Sequence, residues 1–192
     1  MNSELKEDIM QKPYYWYVFY VRTGKENRVV QDIARFADTK GFSSDTIEPF
    51  CPQTESYYRA GGAGKRYQKR PLFSGYVFVE TRLDQTEFLT EFGSFIYCSQ
   101  DIIRLLKSGR DNIALPDHER ARLEFLLKGT RCVERSVGFI NGDTVTITVG
   151  ALMGCEGMIT YINRHNRYAD IELDMFGGKT KARVALEIVE KK

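Results

Sequence analysis

The 192-residue sequence has no apolar run able to cross a bilayer: the longest, Tyr14–Val21, is eight residues. A spanning helix needs roughly 20. Residues 1–12, MNSELKEDIMQK, are polar and contain no apolar secretory segment, so a cytoplasmic protein with no membrane partner is expected. Cysteine is scarce and scattered. Cys51, Cys98, Cys132 and Cys155 form no C-x-x-C, and the two histidines, His118 and His165, lie beside no cysteine pair. The thiols therefore read as buried or idle, and no metal is expected. There is no G-x-x-x-x-G-K-[ST], because Gly61–Lys65 has the wrong spacing, and no G-x-S-x-G. His118 stands between Asp117 and Glu119, but on a helix such neighbours do not face one another. No catalytic residue and no cofactor is assigned, and a non-enzyme is expected. Net charge is almost absent too, with 28 Lys and Arg against 26 Asp and Glu. Any nucleic-acid binding must come from local clustering.

What is present suffices for a packed core: 42% of residues are hydrophobic and 28% charged, which fits one or two globular domains. Trp16–Val21 is aromatic and β-branched and predicts a buried strand. Thr23 and Glu26 have the spacing of a capping box. Val29, Val30, Ile33, Phe36 and Ala37 then recur at helical spacing up to Gly41. Ile47–Phe50 and Glu55–Arg59 are short β-like pieces, and the stretch from Arg59 to Lys65 is a glycine-rich hairpin tip or a disordered loop. Leu72–Glu80 is a second strong strand, with Tyr76, Phe78 and Glu80 on one face and Gly75, Val77 and Val79 on the other. Asp84 and Glu87 can cap a helix carrying Phe88, Leu89 and Phe92 and ending at Gly93. Phe95–Cys98 and Ile102–Leu106 read as extended. Pro116 and Asp117 begin a third helix that runs to Gly129. Thr130–Asn141 has no periodicity and reads as a linker. Beyond it, strands are expected at Thr144–Val149, Met158–Asn163, Tyr168–Leu173, Lys179–Val184 and Leu186–Val189. Five short strands separated by turn signals predict a small barrel.

Two basic clusters stand out. Arg59, Lys65, Arg66, Lys69 and Arg70 are interleaved with Tyr57, Tyr58 and Tyr67, and no acid lies between Ser56 and Val79. Cations among aromatics can follow a phosphate backbone and stack on bases, or form a solvated loop. The second cluster depends on strand pairing. A turn spanning Asp174–Gly178 puts Glu172 opposite Lys179, Asp170 opposite Lys181 and Tyr168 opposite Arg183. Arg183 then has no acidic partner and joins Arg164, His165 and Arg167 as an unpaired positive spot, with Lys181 on the same outward face. This too reads either as a nucleic-acid contact or as an ordinary exposed turn.

Trp16-Tyr17 in the first strand, Phe73-Ser74-Gly75-Tyr76-Val77-Phe78-Val79, and Gly142–Gly150 followed by Gly154 and Gly157 together resemble the NusG family of transcription elongation factors. The third segment is similar to that family's KOW motif. The resemblance covers about residues 13–190. Ser74 stands where the family usually has proline. The stretch Ser99–Leu115 and the turn Arg164-His165-Asn166-Arg167 leading to Val184–Glu190 resemble the specialised LoaP-type antiterminators.

The resemblance implies an α+β chain. A NusG N-terminal domain, an antiparallel four-stranded sheet flanked by helices, would occupy residues 13–128. A linker, 129–136, and an SH3-like five-stranded KOW barrel, 137–192, would follow. It implies a monomer whose first domain binds the β′ clamp helices of RNA polymerase through Trp16, Tyr17, Phe73 and Tyr76. Arg59, Lys65, Arg66, Lys69 and Arg70 would lie near non-template DNA. The KOW domain would bind a nascent RNA hairpin through Arg164, His165, Arg167, Lys181 and Arg183, or a ribosomal protein or Rho through Phe176. The expected function is an operon-directed processive antiterminator. The alternatives are a general NusG factor coupling polymerase to Rho or the ribosome, and a KOW-containing structural protein of the ribosome, a class usually far more basic.

Overall fold

The computed structural model describes residues 12–59 and 65–189. The polar residues 1–11 and the glycine-rich residues 60–64 lie outside them. The chain divides into two compact units, Met1–Cys51 with Ser74–Arg120, and Pro52–Phe73 with Ala121–Lys192. The architecture is α+β. Among the described residues no helix is long and apolar enough to cross a membrane.

The first unit is a four-stranded antiparallel sheet in the order β2-β5-β1-β6. Its strands are β1 (Tyr15–Val21), β2 (Ile47–Phe50), β5 (Tyr76–Thr81) and β6 (Ile102–Leu105). Pro49 is tolerated because β2 is an edge strand. Alternation divides β1 and β5 between two buried faces. Tyr17, Phe19, Val21, Val77 and Val79 pack with Val29, Ile33 and Ala37 of α1 (Glu26–Thr39) and with Phe88 and Phe92 of α2 (Gln85–Cys98). On the opposite face Trp16 meets Phe50 edge-on at 5.1 Å, and Phe50 stacks on Phe78 at 5.5 Å. Trp16 Nε1 donates to Glu80 Oε2 at 2.6 Å.

Helix α1 ends as its sequence indicates. Gly41 has φ +79°, its N–H donates to the Asp38 carbonyl, and Phe42 N–H reaches the Ala37 carbonyl, which is a Schellman closure. Its start differs from expectation: Thr23 and Glu26 form no capping box, and Lys25 is the N-cap without a side-chain bond. Asp84 and Glu87 do form one at the start of α2. That helix runs through Gly93 to Cys98 instead of stopping, so Phe95–Cys98 is helical and not extended. The extra turn is held by packing, with Phe95 stacked on Phe36 at 4.8 Å, which overrides the weak propensity of one glycine.

The second unit contains the hairpin β3 (Gln53–Arg59) and β4 (Lys65–Pro71), most of α3 (Asp117–Leu127), and strands β7 (Cys132–Val133) to β12. β7 pairs in parallel with β3, giving the order β4-β3-β7. β8 (Ser136–Asn141), β9 (Thr144–Val149), β10 (Ile159–Asn163), β11 (Tyr168–Met175) and β12 (Gly178–Ile188) form a curled five-stranded sheet in the order β10-β11-β12-β8-β9. Thr130–Asn141, expected to be a linker, therefore contains β7 and β8. The expected last two strands are one continuous β12. The strand count of five is reached because β8 opens the set.

The turn after β9 depends on Gly150, which has φ +106°. A Cβ there would lie 2.3 Å from the Arg135 carbonyl oxygen and 2.6 Å from Ser136 Cα, whereas one at Gly157 would meet nothing within 4 Å. Gly150→Ala is expected to destabilise the protein by about 2–3 kcal/mol. Gly157→Ala should stay within about 0.5 kcal/mol. Chemical denaturation of both variants checks this, and equal losses would refute it.

Candidate nucleic-acid interface

The Phe73-Ser74-Gly75-Tyr76 segment is a turn leading into β5. Gly75 has φ +82°, and a Cβ on it would come within 3.2 Å of the Tyr20 ring and the Val21 carbonyl oxygen, so glycine permits this close approach. Its N–H donates to Glu26 Oε1 at 2.7 Å. Glu26 is buried, 4% exposed, because it serves this turn and not the helix cap. Tyr76 is half-buried and packs edge-on to Tyr20 at 5.6 Å.

Phe73, Trp16 and Tyr17 are buried. Tyr17 belongs to the core against α1 and α2, its hydroxyl donates to the Leu83 carbonyl at 2.9 Å, and burial raises its phenol pKa, helped by Asp84. Tyr17 is thus part of the core, its side chain lying in the helix-facing layer. Trp16 is likewise buried at 1% exposure, bound to Glu80.

In the β3–β4 hairpin, Tyr57 lies opposite Tyr67, Tyr58 opposite Arg66, Glu55 opposite Lys69 and Thr54 opposite Arg70. Arg59 and Lys65 face each other by backbone register at the end where residues 60–64 join the two strands; their side chains lie outside the described part. Arg66 and Lys69 are exposed, and Arg70 is half-buried. The hairpin is pinned by Arg135, whose N–H donates to Glu55 Oε2 at 2.8 Å and whose guanidinium lies 4.9 Å from the Tyr67 ring.

The β11–β12 hairpin differs from expectation in register. Its connection is only Phe176-Gly177, with φ +54° and +72°, the backbone of a two-residue hairpin turn. The expected five-residue turn was too long, and shortening it moves every partner. Asp170 now faces Arg183, Glu172 faces Lys181, and Asp174 faces Lys179. Arg183 is therefore not unpaired. It grips Asp170 with Nε–Oδ1 at 2.7 Å and Nη2–Oδ2 at 3.0 Å, and lies 3.8 Å from the Tyr168 ring. Arg167, at φ +54°, is paired with Glu187 at 2.9 Å and lies 5.3 Å from the Tyr57 ring. Lys179 bonds Glu172 at 2.6 Å. Among the described residues the exposed basic side chains of this region without an ion pair are Arg164, His165 and Lys181. Phe176 is half-buried at the turn.

A cleft of about 510 Å³ lies between the β3–β4 hairpin and the β11–β12 hairpin, with Tyr57, Tyr58, Arg70, His165, Tyr168 and Arg183 on its walls. It brings together members of the two basic clusters. Arg70 has no ion pair among the described residues; burial, then the nearby Arg183, lowers its pKa, with Asp170 opposing. The sequence pattern places Tyr168 and Asp170 on the hairpin face but with the wrong partners, and it misses Glu187 as the partner of Arg167. A register built on a two-residue Phe-Gly turn would have put Asp170 opposite Arg183.

Among the described residues no group of three or more His, Cys, Asp or Glu converges as a metal ligand set. Cys51, Cys132 and Cys155 are buried and Cys98 is exposed, all as free thiols. Burial, then Glu26, pushes the Cys51 thiol up to about 12.

The family described as "Transcription termination factor nusG" matches residues 14–124, more than half of the chain. The transcription termination/antitermination protein NusG of Thermus thermophilus is 24% identical over 168 residues, covering 86% of this chain and 91% of that protein. The protein of the same name from Streptococcus pyogenes serotype M1 is 26% identical over 174 residues, covering 89% and 92%. A solved structure described as "Domain interaction in Thermotoga maritima NusG" is 19% identical, with a TM-score of 0.49 over 90% of this chain and 94% of that one.

Glu26→Ala is expected to leave the Gly75 N–H buried and unpaired, at a cost of about 1–3 kcal/mol. Glu26→Gln keeps an acceptor and should lose less. Denaturant midpoints distinguish the two, and equal losses would show that the bond contributes nothing.

Proposed function

The chain belongs to the NusG family of transcription termination/antitermination factors, and on that premise we propose that it is a specialised, operon-directed processive antiterminator. In this reading residues 13–128 bind the β′ clamp helices of elongating RNA polymerase, with the half-buried Tyr76 beside Gly75 as the contact and the buried Phe73, Trp16 and Tyr17 supporting it from within the fold. Residues 129–136 connect to a KOW domain, 137–192, that binds leader RNA. Arg66, Lys69 and Arg70, with Arg59 and Lys65, hold non-template DNA through phosphates, which position a protein without reading sequence.

The observation that carries the reading is the turn between β10 and β11. It presents Arg164 and His165 exposed, with no acidic partner among the described residues, while Arg167 and Arg183 are braced beside it by Glu187 and Asp170. Guanidinium groups fork onto phosphates and guanine edges alike.

A second reading, a general factor coupling polymerase to Rho or a ribosomal protein, is favoured by Phe176. It is an aromatic held at φ +54°, a conformation unusual for a bulky residue and informative when it occurs.

Transcription in vitro with the full chain separates the two. The template carries the leader of the operon adjoining the gene, followed by a terminator. The specialist raises readthrough several-fold only when the leader is present, and Arg164→Ala weakens leader binding by about 1–3 kcal/mol. Readthrough that is indifferent to the leader, but lost on Phe176→Ala with a ribosomal partner, supports the general factor.

A further inference from the structure

The sequence places its two basic clusters far apart and suggests separate ligands for them. The cleft joins them. Its walls come from both hairpins: Tyr57 and Tyr58 of β3, Arg70 of β4, Tyr168 of β11, Arg183 of β12, and His165 from the turn before β11. We propose that this cleft receives a single unpaired nucleotide of an RNA, its base against the tyrosine rings and its phosphate between Arg70 and Arg183. The proposal rests on the RNA-binding reading above and deepens it, naming an unpaired nucleotide as the ligand and the β3–β4 hairpin as half of the site.

Four features support this occupant. First, the cavity of about 510 Å³ falls in the range of a small-molecule site. That suits one splayed-out nucleotide, whereas a paired A-form helix keeps its base edges in a deep groove that side chains cannot read.

Second, two guanidinium groups converge on it, and the one carboxylate on its walls, Glu55, already accepts from the Arg135 N–H. Asp170 is taken by Arg183, and Arg70 is half-buried without an ion pair among the described residues. Burial and Arg183 both work against its charge. A phosphate would supply an anion to Arg70 and accept from the guanidinium N–H groups of Arg183 that Asp170 does not use.

Third, the rings are held in place. Arg183 lies 3.8 Å from the Tyr168 ring and Arg167 lies 5.3 Å from the Tyr57 ring. A pre-positioned aromatic surface accepts any base, because every base has a π face.

Fourth, Glu55, Ser56 and Asn166 border the same space. They supply donors and acceptors for a base edge or for the 2′-hydroxyl by which a protein tells RNA from DNA.

The test uses the full chain and fluorescence anisotropy. The labelled probes are a short unstructured mixed-sequence RNA, the DNA of the same sequence, and the blunt RNA duplex. The single-stranded RNA should bind more tightly than either of the others. Tyr58→Ala and Arg70→Gln should each weaken it about tenfold, and Arg70→Gln should also reduce the salt slope by about one. Thermal melting of each variant controls for folding. Independently of any variant, 4-thiouridine in the RNA should crosslink the unaltered protein at Tyr57, Tyr58 or Tyr168.

If Tyr58→Ala and Arg70→Gln bind normally while Arg164→Ala does not, the cleft is overturned and RNA binding by the turn stands. Crosslinks confined to other residues overturn the cleft as well. Equal affinity for DNA overturns the assignment to RNA. If none of these probes binds while the leader RNA does, the cleft is overturned and the RNA-binding reading stands; if the leader RNA also fails to bind, both fall.

Discussion

A turn of two residues, Phe176-Gly177, determines which charges of the C-terminal unit are paired. Side chains alternate along a strand, so the position of the turn sets every cross-strand neighbour of β11 and β12. With both turn residues in the left-handed region, Asp170 meets Arg183 and Glu172 meets Lys181. The bidentate Arg183–Asp170 pair then holds a guanidinium against Tyr168. Arg167 is braced from β12 by Glu187. The basic character of this surface is therefore ordered, with fixed guanidinium groups beside aromatic rings and freer side chains at Arg164 and His165.

Much of the fold was legible where neighbours in sequence are neighbours in space. The apolar β1, the helical spacing of α1 with its Gly41 closure, the Asp84–Glu87 box and the alternating β9 all follow from local rules. The misses have non-local causes. β8 looks like a linker because it carries Ser136, yet Ser136 is fully buried, its Oγ accepting the Leu152 N–H at 2.9 Å. Its partner β12 lies in parallel and far along the chain. Glu26 looks like a cap residue, and its true partner, Gly75, is brought near by the sheet. α2 outlasts Gly93 because Phe36 of another helix receives Phe95.

The candidate site was legible as composition but not as arrangement. Both clusters stand out as basic stretches among tyrosines. Their convergence depends on where the β3–β4 hairpin packs, which no local pattern encodes. The aromatic run of β1 shows a related ambiguity. A strand buried on both faces has the same residue types as one that offers a face to a partner. Only the helical layer of the first unit shows that Tyr17 is core.

The parallel pairing of β7 with β3 also bears on how the chain is made. The four-stranded sheet has all its strands once Leu105 has been synthesised. The hairpin Gln53–Pro71 emerges earlier, but its third strand, Cys132–Val133, comes much later. An isolated hairpin is marginal in water, and an open strand edge is a template for pairing with other chains. Until the ribosome reaches Cys132, this hairpin is the growing polypeptide's point of exposure to association. The opposite edge, β4, is open before and after that point and is rich in lysine and arginine, and like charges along an edge oppose pairing with other chains. These charges thus guard one edge of the hairpin in the growing polypeptide and in the finished protein alike.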